Sequence, residues 1–177
     1  MILAAEHLTP GELTALERYH LMTSLVVPRP IGWLSTRGAD GVPNLAPFSY
    51  FAAISVRPML VAVSIGHKKD GLKDSLENLR YRGAFCVNVV SEELLEPMNE
   101  SSATVPPEVD EFELASLTAV DSDRVDAPFV GECRAVFECR VQQEVDLRGA
   151  PNTLVIGEVV GVRLDPALGS EEGTRII

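Results

Sequence analysis

The chain has 177 residues, 46% hydrophobic and 23% charged, the balance of one ordinary globular domain rather than of a disordered or fibrous chain. Its 15 basic residues face 26 acidic ones, a net charge of −11, which argues against general affinity for nucleic acid or for anionic membrane surfaces. No apolar run approaches the roughly 18 residues that a membrane-spanning helix needs, and the N-terminal segment lacks the basic leader of a signal peptide, so the expectation is a cytoplasmic protein forming a single domain over 1–177.

Thr9-Pro10-Gly11-Glu12 has the form of a capping box with proline at the first helical position. Leu13, Leu16, His20 and Leu21 then recur at helical spacing, which predicts a helix over about 10–23. Two prolines make the segment VVPRP extended. From Ile31 the pattern is that of strands: Ile31, Trp33 and Ser35 alternate with Gly32 and Leu34, GADG supplies a turn, and VPNLAPFSYFAAI leads to the apolar run MLVAVSI. In DGLKDSLENLRYRG, Leu72, Leu76 and Leu79 share a helical face and Gly83 is placed to stop the helix before the strand AFCVNVV.

A short helix is expected from Ser91 to about Met98, and residues 99–128 read as a mainly irregular surface excursion. From 133 to 141, Cys133, Ala135, Phe137, Cys139 and Val141 occupy one side, while 132, 134, 138 and 140 are Glu, Arg, Glu and Arg, the period of a strand with one buried face. After the turn RGAPN, the run TLVIGEVVGVRL is interrupted by Gly157 and Gly161, glycines that suit bulges in a curved sheet. About six strands and one well-placed helix predict a mainly β, closed or nearly closed barrel.

Cys86, Cys133 and Cys139 have no metal-binding spacing and read as buried, inert thiols, and the widely spaced His7, His20 and His67 read as structural or surface residues. Neither a hydrolase nucleophile elbow nor a zinc-protease or dinucleotide fingerprint occurs. Gly66-His67-Lys68-Lys69-Asp70-Gly71 has the glycine spacing of a nucleotide triphosphatase loop, but Leu72 stands where that loop needs lysine.

The physics of such a loop survives in part. Residues 1–90 hold 9 basic and 7 acidic residues and residues 91–177 hold 6 and 19, yet all three lysines, Lys68, Lys69 and Lys73, fall within six residues. A glycine-bearing loop there enters a helix near Asp70–Lys73, so free backbone N–H groups and the positive end of the helix dipole meet the lysines, with Ser64 and Ser75 on either side. The combination suits one phosphate monoester; a capped surface helix with solvated lysines is the alternative.

Three motifs occur in order: Pro28-Arg29-Pro30 leading to Ser35-Thr36, Asn44-Leu45-Ala46-Pro47-Phe48-Ser49 after a D-G turn, and Lys73-Asp74-Ser75 opening a helix. Together with NTLVIGEVVGVRLD they make the chain resemble, from about Val27 to Asp165, the flavin reductase-like family with the FMN-binding split-barrel fold. The resemblance implies a Greek-key split β-barrel with a few peripheral helices, assembled as a homodimer with one FMN per subunit. It implies that Asn44, Leu45, Ala46, Pro47, Phe48 and Ser49 run beside the isoalloxazine and ribityl chain, largely through backbone groups. Ser64, Gly66, Lys73, Asp74 and Ser75 would surround the phosphate, with Arg29, Ser35 and Thr36 as further cofactor-binding candidates. No catalytic residue and no metal are implied. Trp33 is expected to pack in the barrel.

The implied activity is hydride transfer from NAD(P)H to flavin. The alternatives are a flavoredoxin-like electron carrier reduced by a redox partner protein and a non-catalytic flavin- or ligand-binding barrel. Gly32 stands where the family commonly has alanine and Ser75 where threonine is frequent, and many relatives continue beyond the point where this chain ends at Thr174-Arg175-Ile176-Ile177.

Overall fold

The protein is described from a computed structural model over residues 7–168; the C-terminal residues Thr174–Ile177 weighed above lie outside the described residues. The first helix begins later than Thr9-Pro10 predicts. A single 3-10 turn covers Pro10–Glu12, where Thr9 makes no side-chain cap, and α1 (Ala15–Leu25) starts at Thr14. Thr14 and Glu17 form the capping box: Glu17 N–H donates to Thr14 Oγ1 (3.2 Å) and Thr14 N–H to Glu17 Oε2 (2.8 Å). No side chain of α1 is buried.

Seven strands make one antiparallel sheet: β1 (Gly32–Arg37), β2 (Pro43–Phe48), β3 (Phe51–Val56), β4 (Met59–Gly66), β5 (Ala84–Asn88), β8 (Ala135–Asp146) and β9 (Asn152–Leu164), in the order β2-β1-β5-β8-β9-β4-β3. β6 (Ala119–Asp121) and β7 (Pro128–Val130) form a separate hairpin. β2 and β3 lie at opposite edges of the order, yet only Ser49 and Tyr50 separate them in sequence. Two residues cannot span a flat seven-stranded sheet, so the sheet rolls up until its edges meet at this corner. Ser64 N–H of β4 donates to Tyr50 O there (2.9 Å). The result is the Greek-key split barrel that the resemblance implied.

Both glycines of β9 sit at register shifts. Pairing with β8 slips between Glu138 and Cys139, opposite Gly161 and Val159, and again between Val141 and Gln143, opposite Gly157 and Ile156. Gly157 also admits a ring: a Cβ there would lie 2.7 Å from Phe85 Cε1. The barrel interior holds Leu34, Val63, Ile65, Phe85 and Val155, and α2 (Asp74–Arg82) closes one end by adding Leu76 and Leu79, with Leu72 packed alongside. Gly83 ends α2 in the left-handed region at φ 66°.

Residues 99–128 are more structured than the expected excursion, because they supply α4 (Glu111–Leu114) and β6 after α3 (Leu95–Glu100) and carry the chain to β7. The β6–β7 hairpin and its connecting turn cover the outer face of β5 and β8, where Cys86, Val125, Ala127, Phe129 and Val136 form a second cluster. The one-faced pattern expected for 133–141 therefore fails: Val136 and Glu138 are buried as well as Cys139, and Cys133 precedes the strand. Buttressing from outside is what the period of two could not register. Burial pushes the thiols of Cys86 and Cys133 up to about 12 and that of Cys139 up as well, as inert cysteines require. Trp33 is fully buried with Leu45, Leu94, Phe112 and Val130 in a third cluster.

Candidate functional site

Among the strands β2 pairs with β1 alone, so its other edge carries no strand. Leu45 points its N–H toward that edge, donating to Glu111 Oε2 (3.0 Å). The N–H and C=O of one residue in an antiparallel strand share a side, and that side alternates along the strand, so Pro43 and Pro47 face the same way. Proline has no N–H. The outer edge of β2 therefore carries the carbonyls of Pro43, Leu45 and Pro47 with a single donor, and that donor is already engaged; Leu45 is fully buried, and of the three only Pro47 lines the cleft described next. Two prolines also keep the edge from pairing with a further strand.

Alongside this edge lies a cleft of about 110 Å³. β2 contributes Asn44, Ala46 and Pro47, the loop after β4 contributes Lys68, and the start of α2 contributes Lys73, Asp74 and Ser75. The opposing wall is Ser101–Val105 together with Glu111. Lys68 Nζ donates to both oxygens of Asp74 (2.9 and 2.8 Å), so its charge is largely neutralised. Lys73 Nζ sits 5.3 Å from the centre of the Phe48 ring and forms no ion pair among the described residues. Lys73 also holds the N-cap position of α2, where no side chain caps the helix. A free ammonium and uncapped N–H groups at a helix start are the parts of an anion site.

Beneath the cleft runs a buried polar network. Asn44 Nδ2 donates to both oxygens of Glu111 (3.0 Å each), while its Oδ1 accepts from Ser75 Oγ (2.8 Å) and Thr36 Oγ1 (3.1 Å). Thr36 Oγ1 in turn accepts from Asn78 Nδ2 (3.1 Å). Glu111 is only 5% exposed. Burial raises its carboxyl above the usual range and Asp74 adds to the effect, while hydrogen bonds from Leu45 and Asn44 oppose it.

The structure thus sorts the residues singled out in the sequence. Asn44, Ala46, Pro47, Lys73, Asp74 and Ser75 come together in the cleft. Thr36 is buried behind it, and Leu45 and Phe48 pack into cores, Leu45 keeping its backbone at the edge. Ser35 is also buried: its Oγ donates to Pro128 O (2.6 Å) and accepts from Asn88 Nδ2 (2.9 Å), which ties β1 to β7. Ser49 lies in the β2–β3 corner. Ser64 and Gly66 lie at the end of β4 beside Asn152, whose Nδ2 donates to Ser64 Oγ (3.3 Å). Arg29 turns to the end of α1, its Nη1 donating to Thr23 O and Val26 O (2.6 Å each).

Glu111 and Ser101–Val105 escaped the sequence analysis because they lie in the acidic stretch read as excursion. The one available signal was Asp110-Glu111 directly before Phe112, a carboxylate next to a core anchor. A wider groove of about 780 Å³ runs past Arg124, Phe129, Arg134 and Arg163, and none of the predicted residues lines it. No helix of the described residues is long and apolar enough to cross a membrane, and no group of three or more potential metal ligands occurs among them.

The rolled antiparallel sheet with a few peripheral helices puts the chain in the class of split-barrel β-proteins. The chain belongs to the flavin reductase-like domain family, whose model its residues 22–173 match. An uncharacterised protein of Aquifex aeolicus is 38% identical over 154 residues, covering 86% of this chain and 78% of its own length. Nitrilotriacetate monooxygenase component B from Bacillus cereus is 32% identical with a TM-score of 0.92, over 96% of this chain and 86% of that one. Pseudomonas fluorescens 2-nitrobenzoate 2-nitroreductase is 28% identical with a TM-score of 0.87, over 97% of this chain and 82% of that one. Gly32 has a physical reason here: a Cβ would meet the Phe51 ring at 2.7 Å.

Proposed function

We propose that the protein is an FMN-dependent oxidoreductase that transfers hydride from NAD(P)H to flavin. The observation that carries this reading is the pairing of an acceptor-only strand edge with an anion site at its side. FMN presents donors along its length, the ribityl hydroxyls and the ring imide, and ends in a phosphate monoester. The carbonyl of Pro47, at the β2 edge and lining the cleft, suits the donors, and Lys73 with the first N–H groups of α2 suits the phosphate.

When bound, FMN would supply the hydride acceptor between the nicotinamide and a final electron acceptor. The chain's own contribution is to fix the ligand along β2, to neutralise phosphate charge through Lys73, and to exclude water with Ser101–Val105. None of these steps needs a catalytic acid or base. We further propose a homodimer, in which α1, with Leu16, Tyr19, Met22 and Leu25 exposed, and the β3 edge, with Ile54 and Val56 exposed, meet a second copy.

The test is the visible spectrum of the purified protein, followed by titration with FMN, FAD and riboflavin and by NADH and NADPH oxidation with FMN present. Yellow protein or micromolar FMN affinity with turnover supports the reading. Flavin binding without nicotinamide oxidation makes the protein an electron carrier, whose acidic surface would dock a basic partner. Failure to bind any flavin overturns the reading.

A further inference from the structure

A hydroxyl has one proton to donate, and Ser75 gives its proton to Asn44 Oδ1. In this arrangement Ser75 lines the cleft but cannot donate to an anion in it. The direction of the bond is dictated from the far end. An ionised Glu111 only accepts, so Asn44 must aim its NH₂ at Glu111 and hence its oxygen at Ser75 and Thr36.

We propose that Glu111 is a positioning residue that sets the direction of this relay, and that the cleft takes up a proton on Glu111 when it binds a phosphate monoester. The inference rests on the flavin reading above. Neutral Glu111 keeps one oxygen for Leu45 N–H and turns its new O–H toward Asn44. The Asn44 amide then turns over, accepting from Glu111 through Oδ1 and donating through Nδ2 to Ser75 and Thr36. Ser75 thereby frees its own proton for a phosphate oxygen. Asn78, which is only half-buried, turns over in the same way and accepts the proton that Thr36 releases. The proton comes from solvent, and every buried donor keeps an acceptor.

The surroundings favour this coupling. The charged groups that line the cleft with Glu111 are Asp74, which acts on its carboxyl, Lys73 at the N-cap of α2 and Lys68 of the preceding loop, the last already spent on Asp74. β2 presents no titratable group to it, and on its own helix Asp110 accepts from Phe112 N–H while Glu113 is exposed. A phosphate entering the cleft adds negative charge beside a carboxyl that burial already holds above its usual range.

The test uses the full chain and FMN, by titration calorimetry between pH 5 and 8 in buffers of different ionisation enthalpy, with riboflavin as the ligand that lacks the phosphate. Glu111→Gln imitates the neutral state, because its carbonyl can accept from Leu45 and its NH₂ can donate to Asn44. It is expected to bind FMN about tenfold more tightly than the wild type at pH 8, the scale of one hydrogen bond to a charged group. The wild type should take up as much as about one more proton per FMN than Glu111→Gln, a difference in which the titration of the FMN phosphate itself cancels. Riboflavin should not distinguish the two proteins.

Ser75→Ala gives an independent readout should Glu111→Gln not fold. It should match the wild type at pH 8 and fall about tenfold short at pH 5. FMN binding with no proton uptake relative to Glu111→Gln, or a Ser75→Ala deficit that does not change with pH, overturns the inference and leaves the flavin reading standing. Absence of FMN binding at every pH overturns both.

Discussion

Replacing Lys73 with alanine should weaken FMN binding by roughly 10–100-fold, and replacing Lys68 should weaken it by less. The difference follows from what each ammonium already touches. Lys73 Nζ makes no ion pair among the described residues, so the full value of a charged hydrogen bond, about 1.5–3 kcal/mol, is lost with it. Lys68 is held by both oxygens of Asp74, and its removal mainly unmasks that carboxylate. A unit charge ~7 Å from the phosphate at an effective dielectric of ~40 costs about 1 kcal/mol, or roughly fivefold. Asp74→Asn combined with Lys68→Ala should therefore recover most of the loss. Fluorescence titration with FMN and riboflavin in parallel measures both. Equal losses for Lys73→Ala and Lys68→Ala would refute the argument and reduce the cluster to diffuse charge, and an equal loss of riboflavin would move Lys73 away from the phosphate end.

Gly157→Ala should cost about 1–3 kcal/mol in urea unfolding, since its Cβ enters the space of the fully buried Phe85 ring; an unchanged midpoint would mean that β9 yields at its bulge. Asn88→Ala removes the partners of Val130 N–H, Trp33 O and Ser35 Oγ at a fully buried position, and should cost about 3 kcal/mol or more by the same assay. The carboxyl of Glu111 titrates higher in the folded chain than its unfolded value of about 4.3, so the stability it contributes is present below that pH and is lost as pH rises through the folded value. Measured against Glu111→Gln, wild-type stability should fall across that window and then level off; a flat or rising difference would refute the buried assignment. Association of FMN, followed by stopped flow, should speed up with added salt, because a chain of net charge −11 repels an anionic ligand at a distance that salt screens. A rate that falls with salt would mean that Lys73 steers the approach.

Where one segment meets one neighbour, the sequence is a good guide. Leu72, Leu76, Leu79 and Gly83 outline α2 because a single face of that helix meets the barrel, and Gly157 and Gly161 mark bulges because curvature demands them locally. The errors lie where a second partner intervenes. Glu138 looked like an outward residue until the β6–β7 hairpin covered that face, where Ser122 Oγ donates to its carboxylate (2.7 Å). Thr9 and Glu12 matched a capping box as well as Thr14 and Glu17 do, and only the backbone path chose between them. For the cleft, β2 and the start of α2 carry visible motifs, whereas Glu111 arrives across 66 residues to meet Leu45, a distance no local pattern records.

The lysine cluster also means something different from what charge counting implies. With Lys68 committed to Asp74, and Glu111 beneath the floor, the cleft combines two ammonium groups with two carboxylates and carries little surplus positive charge. Holding an anion there would fall to direction: N–H groups at the start of α2, one ammonium without an ion-pair partner among the described residues, and hydroxyl protons whose aim is fixed by Asn44 and Glu111. Such a site would discriminate by geometry and by protonation state, since each donor must be pointed and each carboxylate must be neutralised or left behind. That arrangement would suit a cleft in which Asp74 and Glu111 offset Lys68 and Lys73 and field strength alone offers little.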